Sequence, residues 1–180
     1  MKKFELTSEF ITNVFGTKLF RIRALVEFGT VKAGDLGGYI EKEENLDQDG
    51  NAWVYGNARV YGNARVYDDA RVYDDAWVYG NARVCGNAWV YGNARVCGNA
   101  EVYDDADYAY AHGFGSEYRT TTFFRLKDGG VGVQCGCFRG TLQAFRDKVR
   151  ETHGDSKKAK EYLMLADLME LRFSKEDTEE

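Results

Sequence analysis

The residues of this 180-residue chain whose types invite chemistry are two histidines, four cysteines and three pairs of adjacent aspartates. His112, in "AYAHGFGSEY", lies in a glycine-rich stretch. It can serve as a general base only if a second group orients it, and Glu117 is near in sequence. His153, in "ETHGDS", stands in a last helical turn before Gly154, where a histidine favours the helix dipole and a structural role is the simpler account. Cys135 and Cys137 have the look of a redox or metal pair. However, Val131, Val133, Cys135 and Cys137 alternate along one strand face, and the further ligands a metal needs are missing. Asp68-Asp69, Asp74-Asp75 and Asp104-Asp105 converge too few oxygens for calcium and read as turns. No metal and no cofactor is expected.

The elements that must position these groups are dominated by one repeat. From Gly56 to Val84 the chain reads "GNARVYGNARVYDDARVYDDAWVYGNARV". The unit is Ala–x–Val–x followed by Gly-Asn or Asp-Asp. Valines recur every six residues from Val54 to Val102, and Tyr108 takes the next place. A period of six is neither 3.5 nor 3.6, which excludes a coiled coil and an amphipathic helix. Each unit is instead a short strand with Ala and Val inward and both x residues outward, closed by a turn suited to positive φ. This array, residues 51–110, resembles the hexapeptide-repeat, left-handed parallel β-helix, in which three units make one triangular coil.

Residues 1–50 read as a β-rich cap, with strands at "FELT" and "KLFRIRAL" and turn glycines in "KAGDLGGYI". Residues 111–180 form a C-terminal α/β unit with a β-hairpin and two helices. Thr141 caps "LQAFRDKVRETH", which Gly154 stops, and Asp155 or Ser156 starts a second helix. That helix carries an apolar stripe from Ala159 to Phe173, followed by the frayed acidic tail "SKEDTEE". The fold class is therefore mainly β.

If three units close a coil, residues eighteen apart share a column. One face carries Trp53, Arg71 and Trp89 beside Tyr55, Tyr73 and Tyr91. The second carries Arg59, Trp77 and Arg95 beside Tyr61, Tyr79 and Cys97, and the third carries Arg65, Arg83 and Glu101 beside Tyr67, Cys85 and Tyr103. Cys85 and Cys97 then lie on different faces and cannot pair within one chain. Alternating Trp and Arg offer cation–π stacking that stabilises a flat face. The same residue types dominate interface hot spots, and large exposed aromatic patches favour a homo-oligomer.

The net charge of −5 argues against a general nucleic-acid binder. No apolar run is long enough for a membrane span, and no apolar segment follows the N-terminal lysines as a secretory signal requires. Cysteines without a disulfide spacing fit a reducing cytoplasm. The faces lack the regular threonine ranks of an ice binder.

The flanks "LFRIRALVEFGTVKAGDLGGYIEKEENL" and "GCFRGTLQAFRDKVRETHGD" resemble those of a phage and prophage family of hypothetical or polymer-forming proteins, built on hexapeptide arrays of variable length. The resemblance implies a phage-encoded accessory protein of the bacterial host cytoplasm, with a trimer as the favoured oligomer. The expected function is non-enzymatic binding: inhibition of host antiviral defence, by sequestering a nucleotide signal or blocking a host protein. The expected binding residues are Trp53, Arg71, Trp89, Tyr55, Tyr73, Tyr91, Arg59, Trp77 and Arg95. The alternatives are an acyltransferase using acyl-CoA, with His112 as base, and a purely structural scaffold. The valine register never breaks between 54 and 102, so the long loop that many such acyltransferases extrude is absent.

Overall fold

The computed structural model describes residues 2–174. The chain opens with an antiparallel hairpin, β1 (Phe4–Thr12) and β2 (Lys18–Ala24), followed by β3 (Leu36–Ile40). Two-residue strands then recur through the repeats: β4 (Trp53–Val54), β5 (Arg59–Val60), β6 (Arg65–Val66), β7 (Arg71–Val72), β8 (Trp77–Val78), β9 (Arg83–Val84), β10 (Trp89–Val90), β11 (Arg95–Val96) and β12 (Glu101–Val102). Strands eighteen residues apart pair in parallel, which sorts them into three faces: β4-β7-β10, β6-β9-β12, and β5-β8-β11. This is the expected β-solenoid, of about four turns.

The repeat folds this way because Ala and Val are small and apolar enough to fill so narrow an interior. Every array valine from Val54 to Val102, and every alanine from Ala52 to Ala100, is fully buried. Backbone amides pair from coil to coil: Trp53 N donates to Ala70 O at 3.1 Å, and Arg71 N donates to Ala88 O at 2.9 Å. The corners need positive φ, which glycine supplies at Gly62 and Gly80. Asp68 and Asp74 adopt the same region at 59° and 57°. Each is held there by the next coil, because its Oδ2 accepts from the amide of Gly86 or Gly92 at 3.1 Å. The aspartate pairs are corners, and the glycines stacked on them, themselves at φ 60° and 66°, donate the amides that hold them.

The N-terminal segment departs from the expected cap. Tyr39 and Ile40 pair in parallel with Arg59 and Val60, and Leu46 bridges to Val66, so part of residues 1–50 forms an irregular first coil. The hairpin extends that face into a sheet ordered β1-β2-β3-β5-β8-β11. Gly37 and Gly38 lie within β3 and are not turn residues; Gly34, at φ 92°, makes the turn. A Cβ on Gly38 would come within 2.6 Å of the Ala58 carbonyl oxygen, so close packing of the first coil explains the glycine. Asn45, fully buried, donates to the carbonyls of Gly62 and Ala64 at 3.1 and 2.8 Å and satisfies backbone that an apolar residue would leave unpaired.

The chain divides into two compact units, Met1–Asp105 and Ala106–Glu180. The array thus ends before residue 110: Tyr108 leaves the valine series and pairs with Phe124. The second unit holds an antiparallel sheet, β13 (Tyr108–Ala111), β14 (Thr121–Arg125), β15 (Val131–Cys135) and β16 (Phe138–Thr141), where a single hairpin was expected. Two helices follow, α1 (Leu142–His153) and α2 (Lys157–Phe173). Thr141 Oγ1 accepts from Ala144 N, Ser156 Oγ accepts from Ala159 N, and Gly154 ends α1 at φ 54°, as the cap residues predict. Phe145 and Val149 meet Tyr162 and Met169 in one core with Phe123 and Val133 of the sheet. Arg146 ties the helices through Asp167 and Glu170 at 2.8 and 2.7 Å. The acidic tail expected at 174–180 lies, beyond Ser174, outside the described residues. No helix among the described residues is long and apolar enough to cross a membrane.

Replacing Gly38 by alanine should lower stability by about 1–3 kcal/mol, because the new methyl meets backbone that cannot yield. A thermal melt of the variant beside the parent measures it. An unchanged melting temperature would show that the first coil is not packed as described.

Candidate functional site

The outward columns form within the chain, and most of their side chains are already engaged with one another. On the first face Arg71 lies over the Trp89 ring at 5.2 Å and donates to the Tyr73 hydroxyl at 3.4 Å. Tyr55 and Tyr73 stack at 4.3 Å with their planes 9° apart, and Tyr73 leans on Trp89 at 6.0 Å. On the second face Arg59 and Arg95 sandwich Trp77 at 4.9 and 4.6 Å, beside the Tyr61–Tyr79 stack at 5.1 Å. Each cation–π contact contributes about 0.5–2 kcal/mol.

The second ladder runs further than the repeats do. Arg21 lies over the Tyr39 ring at 5.3 Å, and Tyr39 stands opposite Arg59 in the sheet. Cation and aromatic therefore alternate through Arg21, Tyr39, Arg59, Trp77 and Arg95 across β2, β3, β5, β8 and β11. Glu9 closes the end, accepting from Arg21 at 3.3 Å and from the Tyr39 hydroxyl at 3.0 Å. Arg21, Tyr39 and Glu9 escape sequence reasoning because the step from Tyr39 to Arg59 is twenty residues, outside the period of eighteen. The signal that could have found them is "GYI" at 38–40, which repeats the small–x–β-branched order of "ARV".

Three outward assignments fail. Trp53 is only 1% exposed, enclosed by the edges of Phe4 at 6.2 Å and Phe28 at 5.3 Å, so it belongs to the core of the first coil and to no open face. Cys85 and Cys97 are also buried, since a thiol placed in a tyrosine column lies beneath the larger neighbouring rings. Neither forms a disulfide, and they lie in different columns. The members of the expected surface that remain most open are on the last coil: Trp89 at 46% and Tyr91 at 45%, with Arg95 also exposed. On the third face Arg65 and Arg83 are exposed, Arg83 lies 3.6 Å from Glu101, and Tyr103 is half open.

The groups singled out for chemistry are dispersed. His112 follows β13 on the surface, and its Nδ1 pairs with Thr120 Oγ1 at 3.0 Å. Glu117 does not orient it, and among the described residues no carboxylate hydrogen-bonds it. The His153 ring rests on Tyr162 at 5.9 Å. Cys135 ends β15 and takes a hydrogen bond from Thr121 Oγ1 at 3.1 Å. Cys137 is exposed in the following turn and does not continue the strand face, because Gly136 at φ 58° reverses the chain. Among the described residues no three His, Cys, Asp or Glu side chains converge as a metal site.

Burial raises the ionisation of Tyr55, Tyr61, Tyr67 and Tyr79 above the ordinary value of 10.0. The folded chain thus keeps these protons where the unfolded chain releases them. Their contribution to stability is complete below pH 10.0 and falls as pH rises above it. Tyrosinate absorbance followed alongside circular dichroism should show exposed tyrosines titrating first and this set ionising only as the solenoid unfolds. Normal titration of all tyrosines in a still-folded protein would contradict the stacked geometry.

Residues 52–66, 64–80, 76–92 and 82–98 match the YdcK β-solenoid repeat family. The matched segments lie within the array, so the similarity concerns the solenoid and leaves the flanking segments aside. A search of curated proteins finds no match to the chain.

Proposed function

We propose that the chain is a non-enzymatic binding protein that recognises its partner through the aromatic and cationic columns of the solenoid, chiefly on the last coil. The observation that carries this reading is the Arg71–Trp89 pair: a half-exposed indole with a guanidinium 5.2 Å from its centre, and Tyr91 beside it at 45% exposure. An indole face stacks on a nucleobase, and a guanidinium meets phosphate, so a nucleotide suits the pair. A protein partner would use the same residues as anchors.

The flanks' resemblance to phage and prophage proteins supports an accessory role in a bacterial cytoplasm, as an inhibitor of host defence that holds a nucleotide signal or blocks a host protein. The half-open Trp89, Tyr91 and Tyr103 support a homo-oligomer, a trimer by the same resemblance, in which a second copy closes the face.

A thermal-shift screen against cyclic and linear nucleotides, with acetyl-CoA included, tests the reading. A ligand at ~100 times its dissociation constant adds about 2.7 kcal/mol, a rise of several degrees. The expected result is a rise with a nucleotide that Arg71→Ala and Trp89→Ala remove. A rise with acetyl-CoA alone would favour acyl transfer and direct attention to His112. No rise with any compound would favour a macromolecular partner, and light scattering on the same samples gives the oligomer mass.

A further inference from the structure

A cleft in the C-terminal unit lies apart from the solenoid columns. It encloses about 220 Å³ among β15, β16, the two helices and the 116–119 loop. Phe138, Phe145, Val149 and Tyr162 wall it. Phe145 meets Phe138 at 5.5 Å and Tyr162 at 5.6 Å, so the walls are a packed aromatic cluster. Arg119, Lys148 and His153 line the same space, and among the described residues no aspartate or glutamate does. Lys148 is paired with Glu151 at 2.9 Å, but Arg119 makes no ion pair among the described residues.

The cleft is built and held. The Tyr162 hydroxyl donates to Ser116 O at 3.1 Å and accepts from Ser116 N at 3.0 Å, and Glu161 accepts from Gly115 N at 2.7 Å. Past these anchors Glu117 and Tyr118 are held at φ 60° and 49°, a region non-glycine residues seldom occupy. Arg119 follows directly. The Arg119 guanidinium lies against Gly136, where an added Cβ would come within 2.6 Å of its Nη1.

We propose that this cleft binds a small anion with an aromatic or apolar body, its ring against Phe138, Phe145 and Tyr162 and its carboxylate or phosphate held by Arg119 with His153 and Lys148. Planar guanidinium suits both head groups. The volume falls below the ~300–1,000 Å³ of sites for drug-sized molecules, which limits the body to about one ring.

His112 and His153 are the only histidines of the chain, so proton NMR resolves their ring signals and His153→Gln assigns them. The probes are benzoate, phenyl phosphate, inorganic phosphate and benzyl alcohol. Benzoate or phenyl phosphate should move the His153 signals saturably with a dissociation constant of about 1 mM or tighter, leaving His112 still. The better of the two identifies the head group. Benzyl alcohol and inorganic phosphate should bind at least about tenfold more weakly, a difference of ~1.4 kcal/mol. Arg119→Gln, an exposed position whose variant should melt as the parent does, should weaken the ring-bearing anion by a similar factor. Absence of saturation by ~10 mM would overturn the proposal. So would equal binding of benzyl alcohol and benzoate, equal binding of the two phosphates, or unchanged affinity in Arg119→Gln. None of these results bears on the Arg71–Trp89 reading, which has its own variants.

Discussion

Parallel stacking of coils is the constraint on which the solenoid depends. Backbone pairing at roughly 4.8 Å sets each residue directly above the one eighteen positions earlier, and no side chain can turn away from its column. Every column must therefore be compatible with itself. The interior meets this with Val on Val and Ala on Ala, all fully buried. The outer columns meet it by complementarity: Trp77 lies between Arg59 and Arg95, where three stacked arginines would repel. The corners solve the same problem with Asn63, Asn81 and Asn99, each amide donating to the next at 3.2 and 3.3 Å. Asp68 similarly takes the amide of Gly86.

The same constraint makes an end costly, because a terminal coil has no neighbour on one side. At the N-terminal side the chain answers with an irregular coil and a hairpin that convert Trp53 from an outward residue into core. Lys3 is drawn into this closure. Its ammonium donates to the carbonyls of Asp49 and Ala52 at 3.1 and 3.0 Å, while burial lowers its ionisation to about 8 despite the acids Asp47, Asp49 and Asp69 nearby. The ladder on the second face passes through the closure to Arg21 and Glu9, so cap and array share one continuous network of side chains.

The C-terminal unit obeys ordinary helix-on-sheet packing. Its helices begin and end at the residues that cap them, and their apolar faces meet the sheet. Here the informative features are irregular ones: the positive φ of Glu117 and Tyr118, and a tyrosine hydroxyl bound twice to one serine. A repeat cannot supply such a place, since what is demanded of one coil is demanded of all.

Sequence alone determined the six-residue unit and its inward valines and alanines, because a strict period repeats one inward pattern. The eighteen-residue coil, and with it the partners in each outer column, followed from the resemblance to the left-handed β-helix, and the parallel pairing of β4 with β7 and of β5 with β8 agrees with it. Sequence also determined both helices, through Thr141, Ser156 and Gly154, whose effects are local. Only the tertiary structure decided that residues 39–47 join the stack, that Trp53, Cys85 and Cys97 are hidden, and that Tyr108 belongs to another sheet. The cleft between Arg119 and Tyr162 was equally invisible. Each of these depends on contacts between segments with no shared period, where exposure is set by whichever distant chain arrives to cover a residue, and no spacing records that arrival.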